Sequence, residues 1–368
     1  MRGLFGSLGT AVGLATAALT TATPVAPRSG LGAQSPARTE AASNWVVARD
    51  PFVDLWFHCL AIIRYDGYGS LGLYDTRYAD RVEQAKARAR MTTTLDRRAV
   101  ELRSSLAADS AFEVLHFLPL YFVGTDPGVV LPALRAALHE NPREPYAGSV
   151  ASTAALIAAA LPTARERAVL ISLIDAAGDE WTSFLRNDRL TRAANDRQTV
   201  SALQAAWNDR CVATLSGYLA ATGVRRGTIL ISPALGGEGR IVRGPGGAVI
   251  VAVASRDDVP DTRAPLLAAV RELSFPLLDQ LRTPLVERAT RVTAAKARDA
   301  AAVRAGALVL DAIDPSLAAE YRRLFVAAVG GRTFEAAYPL NSEAEIELRH
   351  LVTSAMHGAA SPGTSYEN

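Results

Sequence analysis

The stretch from Gly227 to Ala254, GTILISPALGGEGRIVRGPGGAVIVAVA, decides the fold class, because strand-forming residues dominate it. Three short runs within it are typical of strands: 228–232 (TILIS), 239–243 (GRIVR) and 248–254 (AVIVAVA). Glycine-rich turns separate the runs. Strands joined by such short turns pair side by side, so the stretch predicts a small antiparallel sheet.

Helices are predicted on both sides of this stretch. From Pro51 to about Thr222 many segments carry apolar residues at three- and four-residue spacing, and two helices are predicted at 163–186 and 197–222. Helices resume from 263 to 357. The predicted fold class is therefore mainly α with a small antiparallel β-sheet, an α+β fold. It comprises a helical region at 45–222 and a region of small sheet plus helices at 223–357.

The first predicted helix, 51–65, opens with an N-cap and a first-turn proline at Asp50-Pro51. The helix is apolar on nearly every side. Because a helix without a polar face is normally buried, we expect it at the centre of its domain.

The N-terminus has the pattern of an export signal. One arginine precedes a run of small apolar residues, and a small-residue cleavage site follows at Ala33 or Ala26. The sequence predicts a signal peptide at 1–33, a disordered leader at 34–44 and a disordered tail at 358–368. The alternative is an N-terminal membrane anchor. We expect an exported protein, periplasmic or secreted.

Composition limits the class of partner. Of 368 residues, 49% are hydrophobic, which is enough for a sizeable core, and the formal net charge is only +2. No basic stripe with interleaved aromatic residues is present, so nucleic-acid binding is not predicted. No segment after the signal reaches the ~18 apolar residues that span a bilayer, so no integral membrane segment is predicted after signal removal.

The chain has two cysteines, Cys59 and Cys211, both in predicted helices. Export would permit a disulfide between them. Two buried free thiols are the alternative. Their separation, without a CxxC pair, indicates no metal motif.

The helix after the strands contains AVRELSFPLLDQL, residues 269–281. It has the frame of a zinc-peptidase helix, in which two histidines four residues apart bind the metal and a glutamate between them takes a proton from the bound water. Glu272 matches that glutamate. Arg271 and Phe275 stand where the histidines would be, and neither side chain can ligate a metal. No metal and no cofactor is therefore predicted.

Phe275 gives a further clue. The apolar face of the helix contains Leu266, Val270 and Leu273, and at ~100° per residue Phe275 falls well outside it. This position favours a second contact, either with a neighbouring helix or in a cleft. Arg271 and Phe275 are therefore candidate binding residues beside Glu272.

Tyr74 and Tyr78 follow the first helix in a segment that also contains Asp66 and Asp75. Aromatic and carboxylate side chains in a loop can line a peptide or carbohydrate cleft, so both tyrosines are candidate binding residues. The alternative is that they cover the top of the core with their hydroxyl groups in water.

Five stretches together resemble exported bacterial proteins with a gluzincin-like metallopeptidase domain: DLWFHCLAIIRY, GLYDTRYADRV, ILISPALGGEGRIVRG, AVIVAV and AVRELSFPLLDQL. The resemblance covers most of residues 51–285. It implies a zincin-like arrangement, in which a small sheet is followed by the helix that would carry the active site. Only Glu272 matches a functional position, so the resemblance does not imply peptidase activity.

The function predicted from the sequence is that of an exported protein on a metallopeptidase-like scaffold without zinc peptidase activity. It would bind a peptide or envelope component in a groove beside Glu272 and Phe275. One alternative is an active hydrolase built from distant residues such as His58, His116 and Glu272. The other is a helical structural or interaction protein. The first hypothesis requires strand 248–254 to run along helix 263–281, with Glu272 facing a groove.

Overall fold

The computed structural model describes residues 44–67, 71–140, 149–244, 247–255, 262–286, 290–331 and 333–358. The predicted signal peptide, nearly all of the predicted leader and residues 359–368 of the predicted tail lie outside these ranges.

Helices make up most of the described residues. Those before the sheet stretch are α1 (Pro51–Ile62), α2 (Thr76–Arg88), α3 (Thr94–Ala107), α4 (Pro127–Glu140), α5 (Ser149–Ala159), α6 (Ala164–Glu180), α7 (Arg186–Ala206) and α8 (Ala213–Ala221). Two 3₁₀ segments, Ser110–His116 and Leu118–Phe122, lie between α3 and α4. Those after the sheet stretch are α9 (Arg263–Leu273), α10 (Phe275–Leu278), α11 (Arg291–Ile313), α12 (Pro315–Val329), α13 (Phe334–Ala337) and α14 (Ser342–Gly358).

The start of α1 follows the prediction. The Asp50 side chain accepts hydrogen bonds from the backbone N–H groups of Phe52 and Val53, and Pro51 occupies the first turn. Every residue of α1 after Pro51 is buried. The helix therefore lies at the centre of a core, as its lack of a polar face predicted.

Residues 164–221 form one uninterrupted helix, so the prediction of two separate helices was wrong. Two π-helical turns, Trp181–Leu185 and Trp207–Val212, connect α6, α7 and α8 without a break. The polar residues between 186 and 197 are exposed or half-buried. They contain neither glycine nor proline, and surface polarity alone does not end a helix.

Within the described residues the sheet has four strands, β1 (Trp45–Ala48), β2 (Gly227–Ser232), β3 (Arg240–Arg243) and β4 (Val249–Ala254), in the order β1-β2-β4-β3. β1 pairs parallel with β2, and β2 pairs parallel with β4. Only β3 and β4 are antiparallel. The predicted fold class, mainly α with a small sheet, is confirmed, but the sheet is mixed rather than antiparallel.

Two features explain that difference. β1 lies inside the region predicted to be helical. It precedes all the described helices and supplies a parallel neighbour for β2 from that distant part of the chain. In addition, β2 and β4 are almost continuously apolar and buried. Such runs are typical of strands covered on both faces, which is the usual environment of parallel pairing.

The sheet separates two hydrophobic cores. Leu230 and Ala252 face a core that contains α1 to α6. Their neighbours Ile229, Val251 and Val253 face a second core that contains α9, α11 and α12. Because side chains alternate along a strand, the two buried faces of β2 and β4 connect both cores.

The outer edge of β1 is covered by α7. The N–H of Val47 donates to Oε1 of Gln204 at 2.7 Å, and Nε2 of Gln204 donates to the carbonyl of Trp45 at 3.2 Å. The amide side chain thus takes the place of a neighbouring strand, which blocks edge-to-edge association.

α9 packs against β4, as the first functional hypothesis requires. The predicted helix 263–281 is broken at Ser274, where α9 ends, and Pro276 lies in the first turn of α10. The described residues contain no helix with the length and apolarity needed to cross a membrane.

Candidate functional site

Glu272 lies inside the protein rather than at a groove. Its exposed fraction is 1%, and its carboxylate accepts hydrogen bonds from the backbone N–H of Gly239, at 3.0 Å, and from the guanidinium of Arg271. A carboxylate without access to solvent cannot take a proton from a water molecule that attacks a substrate. The groove predicted beside Glu272 is therefore not found at Glu272 itself.

Arg271 is the centre of this arrangement. Its guanidinium is 1% exposed, contacts Glu272, donates to Oδ1 of Asp299 at 2.5 Å, and lies 5.3 Å from the ring centroid of the half-buried Phe275. The charge of Glu238 also acts on it. We call Arg271, Glu272, Asp299 and Glu238 the Arg271 centre.

The pKa values of the Arg271 centre reflect burial and mutual charge. Burial lowers the pKa of Arg271, but the carboxylates of Glu272, Asp299 and Glu238 more than offset this, so the net shift is upward. Burial raises the pKa of Glu272, and the positive charge of Arg271 offsets only part of that rise. Arg271 therefore stays protonated and serves as the permanent cation of the centre.

Two glycines make room for this centre. A Cβ at Gly239 would lie 2.7 Å from Cγ of Glu272 and 2.5 Å from a backbone oxygen of β4. A Cβ at Gly306 would lie 2.4 Å from the hydroxyl of Tyr321, whose electrostatic environment includes Arg271. These close approaches require residues without a side chain.

The donor set does not fit a zinc site. Zinc is held by imidazole, thiolate and carboxylate ligands, whereas an arginine occupies the middle of the Arg271 centre. Among the described residues, no group of three or more histidine, cysteine or acidic side chains is placed to hold a metal ion.

A second buried polar group lies on the other side of the sheet. Nε2 of His58 is 2.8 Å from Oε1 of Glu180, and Nδ1 of His58 is 2.7 Å from the hydroxyl of Tyr78. Neither His58 nor Glu180 has measurable exposure. We call this group the His58 centre. Its members are His58, Tyr78, Lys86, Thr93, Asp96 and Glu180.

Lys86 connects α2 to this centre. Its ammonium donates to Oε2 of Glu180 at 2.8 Å, to Oδ1 of Asp96 at 2.8 Å and to Oγ1 of Thr93 at 3.3 Å. Three acceptors satisfy all three N–H donors of the lysine. Burial raises the pKa of Glu180, but its hydrogen bond and charge interaction with His58, together with Lys86, lower it to about 2.

Local structure places these side chains. Glu180 is the last residue of α6, directly before the first π-helical turn. Thr93 caps α3 in a capping box with Asp96, so the same side chains that start this helix also contact Lys86. π-Helical turns within α-helices occur frequently at functional sites.

An open groove of about 360 Å³ lies beside the His58 centre, between α2 and α3. Lys86 and Asp96 belong to both the centre and the groove. The lining residues include Ile62, Glu83, Lys86, Met91, Asp96 and Ala99. The groove therefore combines apolar walls with two carboxylates.

The remaining predicted site residues lie apart from the Arg271 centre. Tyr78 belongs to the His58 centre, and the hydroxyl of Tyr74 is 3.0 Å from Nδ1 of His116. Both tyrosines are buried, with exposed fractions of 7% for Tyr74 and 5% for Tyr78. His58, His116 and Glu272, the residues of the hydrolase alternative, have three separate sets of hydrogen-bond partners.

Cys59 and Cys211 are buried free thiols, so the disulfide that export would permit is not formed. Cys59 belongs to the core around α1, and Cys211 to the core on the opposite face of the sheet. Burial is the main cause that raises the pKa of both thiols, to about 11 for Cys211.

Sequence reasoning missed Lys86 and Glu180, although each carries a signal. Lys86 follows Tyr78 and Val82 at four-residue spacing, on the buried face of α2. Glu180 continues the buried face of α6 beyond Leu173 and Ala177. A charged residue that extends an apolar stripe is a candidate for a buried ion pair.

No family model, curated protein or solved structure matches this chain.

Proposed function

We propose that this chain is an exported binding protein on a metallopeptidase-like scaffold that has no zinc peptidase activity. The observation that carries the proposal is the position of Arg271. At the position where the peptidase frame has a metal-binding histidine, its buried guanidinium pairs with Glu272 and Asp299. A protonated guanidinium repels a metal cation and has no lone pair to bind one.

The groove between α2 and α3 is the binding site of this proposal, in place of one beside Glu272. It is open to solvent, and its apolar walls together with Glu83 suit an extended segment that carries a basic side chain. Asp96 is already paired with Lys86, and the ligand would compete with Arg64, which lies 3.4 Å from the Glu83 carboxylate. A peptide or an envelope component with exposed amino groups has this chemistry.

Metal analysis tests the absence of zinc chemistry. Mass spectrometry of the purified protein and calorimetric titration with zinc should give less than stoichiometric metal for the natural sequence and for Glu272→Gln. Stoichiometric zinc that is lost in Glu272→Gln, or peptidase activity that depends on Glu272, would overturn the proposal.

Co-sedimentation with purified peptidoglycan and fluorescence titration with lysine-containing peptides test the groove. Glu83→Lys, which lines the groove, should weaken binding at least fivefold. Glu101→Lys, on α3 but not among the groove-lining residues, is the matched control and should bind normally. Equal effects of the two variants on binding, or no binding of either probe, would argue against the groove as the binding site.

Export has its own test. When the full-length chain is produced in a bacterium with a general secretion system, the mass of the purified protein should correspond to cleavage after Ala33 or Ala26. An intact N-terminus in a membrane fraction would instead support an anchor.

A second candidate function is favoured by the convergence of His58, Glu180 and Lys86 beside a groove; because His58 and Glu180 are fully buried, it requires the His58 centre to open to that groove. Imidazole, carboxylate and ammonium groups in contact are the components of general acid–base catalysis. A screen with ester and amide substrates, comparing the natural sequence with His58→Gln, distinguishes hydrolysis from binding. Turnover that requires His58 would favour the hydrolase.

A further inference from the structure

α2 is attached to the protein by a small number of contacts. Only Tyr78, Ala79, Val82 and Lys86 are buried among its 13 residues. By contrast, 11 of the 12 residues of α1 are buried. The groove between α2 and α3 leaves one side of α2 open. Segments with few buried apolar contacts open at lower free energy than the rest of a fold.

Polar contacts make up much of that attachment. The hydroxyl of Tyr78 is bonded to His58, and the ammonium of Lys86 is bonded to Glu180, Asp96 and Thr93. Two of the four buried residues of α2, Tyr78 and Lys86, therefore bond to the His58 centre, while Tyr78, Ala79 and Val82 also pack in the core around α1.

The end of α2 is strained. Arg90, just beyond the helix, has a φ of 51° and is exposed. The N–H groups of Arg90 and Met91 close the helix on the carbonyls of Ala87 and Lys86. Glycine is the usual residue in this left-handed position, because a side chain there is unfavourable.

We propose that α2 is a lid that opens independently of the rest of the fold and exposes the His58 centre to solvent at the groove. In the closed state Lys86 neutralises Glu180 and Asp96. In the open state the imidazole of His58 and both carboxylates become available to a ligand, which would select that state. This proposal is independent of the absence of zinc chemistry.

Cys59 is a natural reporter of such opening. It is next to His58 in α1 and fully buried, and the charges of Glu180, Lys86 and Asp96 all act on its thiol. The first measurement uses the full chain with Cys211→Ser, so that Cys59 is the single thiol, and follows its alkylation by iodoacetamide in native buffer. Denaturant unfolding of the same protein gives the rate expected from global unfolding alone.

We expect the alkylation rate of Cys59 to be at least 100-fold higher than the rate expected from global unfolding alone. This rate should rise only slightly with denaturant concentration. Lys86→Met should speed the reaction at least tenfold beyond its effect on global unfolding. Arg90→Gly, which removes the strained side chain, should slow it about fivefold. Hydrogen exchange should show α2 exchanging faster than α1 and α6.

Three results would overturn the lid. One is alkylation of Cys59 at the global unfolding rate. Another is an equal acceleration of Cys59 alkylation and global unfolding by Lys86→Met. The third is exchange of α2 together with α1. If Lys86→Met does not fold, Arg90→Gly alone remains a sufficient test, because it leaves the buried contacts intact.

Discussion

The two buried polar centres differ in how their carboxylates are satisfied. Glu180 accepts from three different side chains, His58, Lys86 and Thr93. Glu272 accepts from one backbone N–H and from a guanidinium that it shares with Asp299. The pKa of Glu180 is accordingly lowered and that of Glu272 raised. Burial raises the pKa of both carboxylates. At Glu180 the hydrogen bonds and charges of His58 and Lys86 outweigh burial, whereas at Glu272 those of Arg271, Arg240 and Gly239 do not, and the charge of Glu238 adds to the rise.

The two centres also differ in their access to solvent. The Arg271 centre is closed to solvent and joins α9 to α11 and to the segment before β3. The His58 centre shares Lys86 and Asp96 with an open groove. If one of the two centres meets a ligand, it is therefore the His58 centre, although the helix with the peptidase-like motif contains the other.

The largest expected effect is at Arg271. Arg271→Met leaves its buried carboxylates without their cation, and we expect a loss of about 3–5 kcal/mol in the free energy of unfolding. Arg298→Met is the matched control, because Arg298 contacts the same Phe275 ring but is exposed and pairs with Asp279. That change should cost less than about 1 kcal/mol. Chemical denaturation measures both, and similar losses would contradict a buried role for Arg271.

The next effect is at Glu180 and depends on pH. At pH 7, Glu180→Gln should lower the free energy of unfolding by about 3 kcal/mol, because Lys86 loses a buried carboxylate. Since the folded pKa of about 2 lies below the ordinary value of 4.5, the stabilisation is complete above that ordinary value. It should disappear as the pH falls from about 4.5 to about 2.

Urea unfolding at a series of pH values, with Glu101→Gln as an exposed control, measures this dependence. A difference between the natural sequence and Glu180→Gln that stays constant down to pH 3 would show that Glu180 is not held ionised by its neighbours.

A smaller effect tests the packing beside Arg271. Gly306→Ala places a methyl group 2.4 Å from the Tyr321 hydroxyl, and overpacking of this kind costs about 1–3 kcal/mol. Tyr321→Phe removes the clashing oxygen but leaves Cζ of the ring 2.9 Å from the new methyl group, so the double variant should recover only part of the loss. Thermal unfolding of both single variants and the double variant measures the coupling. Additive losses would refute the close approach.

The smallest effects come from one Tyr→Phe change in each region. Among the described residues, the Tyr321 hydroxyl has no hydrogen-bond partner, whereas that of Tyr78 bonds to His58. Tyr78→Phe should cost about 1–2 kcal/mol, and Tyr321→Phe should be neutral or slightly stabilising. Equilibrium unfolding distinguishes the two. A larger loss of stability for Tyr321→Phe than for Tyr78→Phe would mean that the Tyr321 hydroxyl has a hydrogen-bond partner and that the Tyr78–His58 bond contributes little.

Part of the candidate site was predictable from the sequence. The motif around Glu272 predicted Arg271 and Phe275 as residues beside Glu272, and the structure places Arg271 in contact with both Glu272 and Phe275. Asp299 was not predictable, because it lies on another helix and only the packing of α9 against α11 brings it to Arg271. The contact between Glu180 and His58 was not predictable for the same reason, because the two residues are 122 positions apart in the sequence.

By itself, the amino-acid sequence determined the mainly helical class, the start of α1 at Asp50-Pro51 and the three strands between Gly227 and Ala254. These features depend on local periodicity, capping and turn residues, which act over a few positions. The tertiary structure alone decided that Trp45–Ala48 is a strand, that the sheet is mixed and that two charge centres are buried on its opposite sides. Strand pairing and buried ion pairs depend on contacts between distant residues, which no local pattern records.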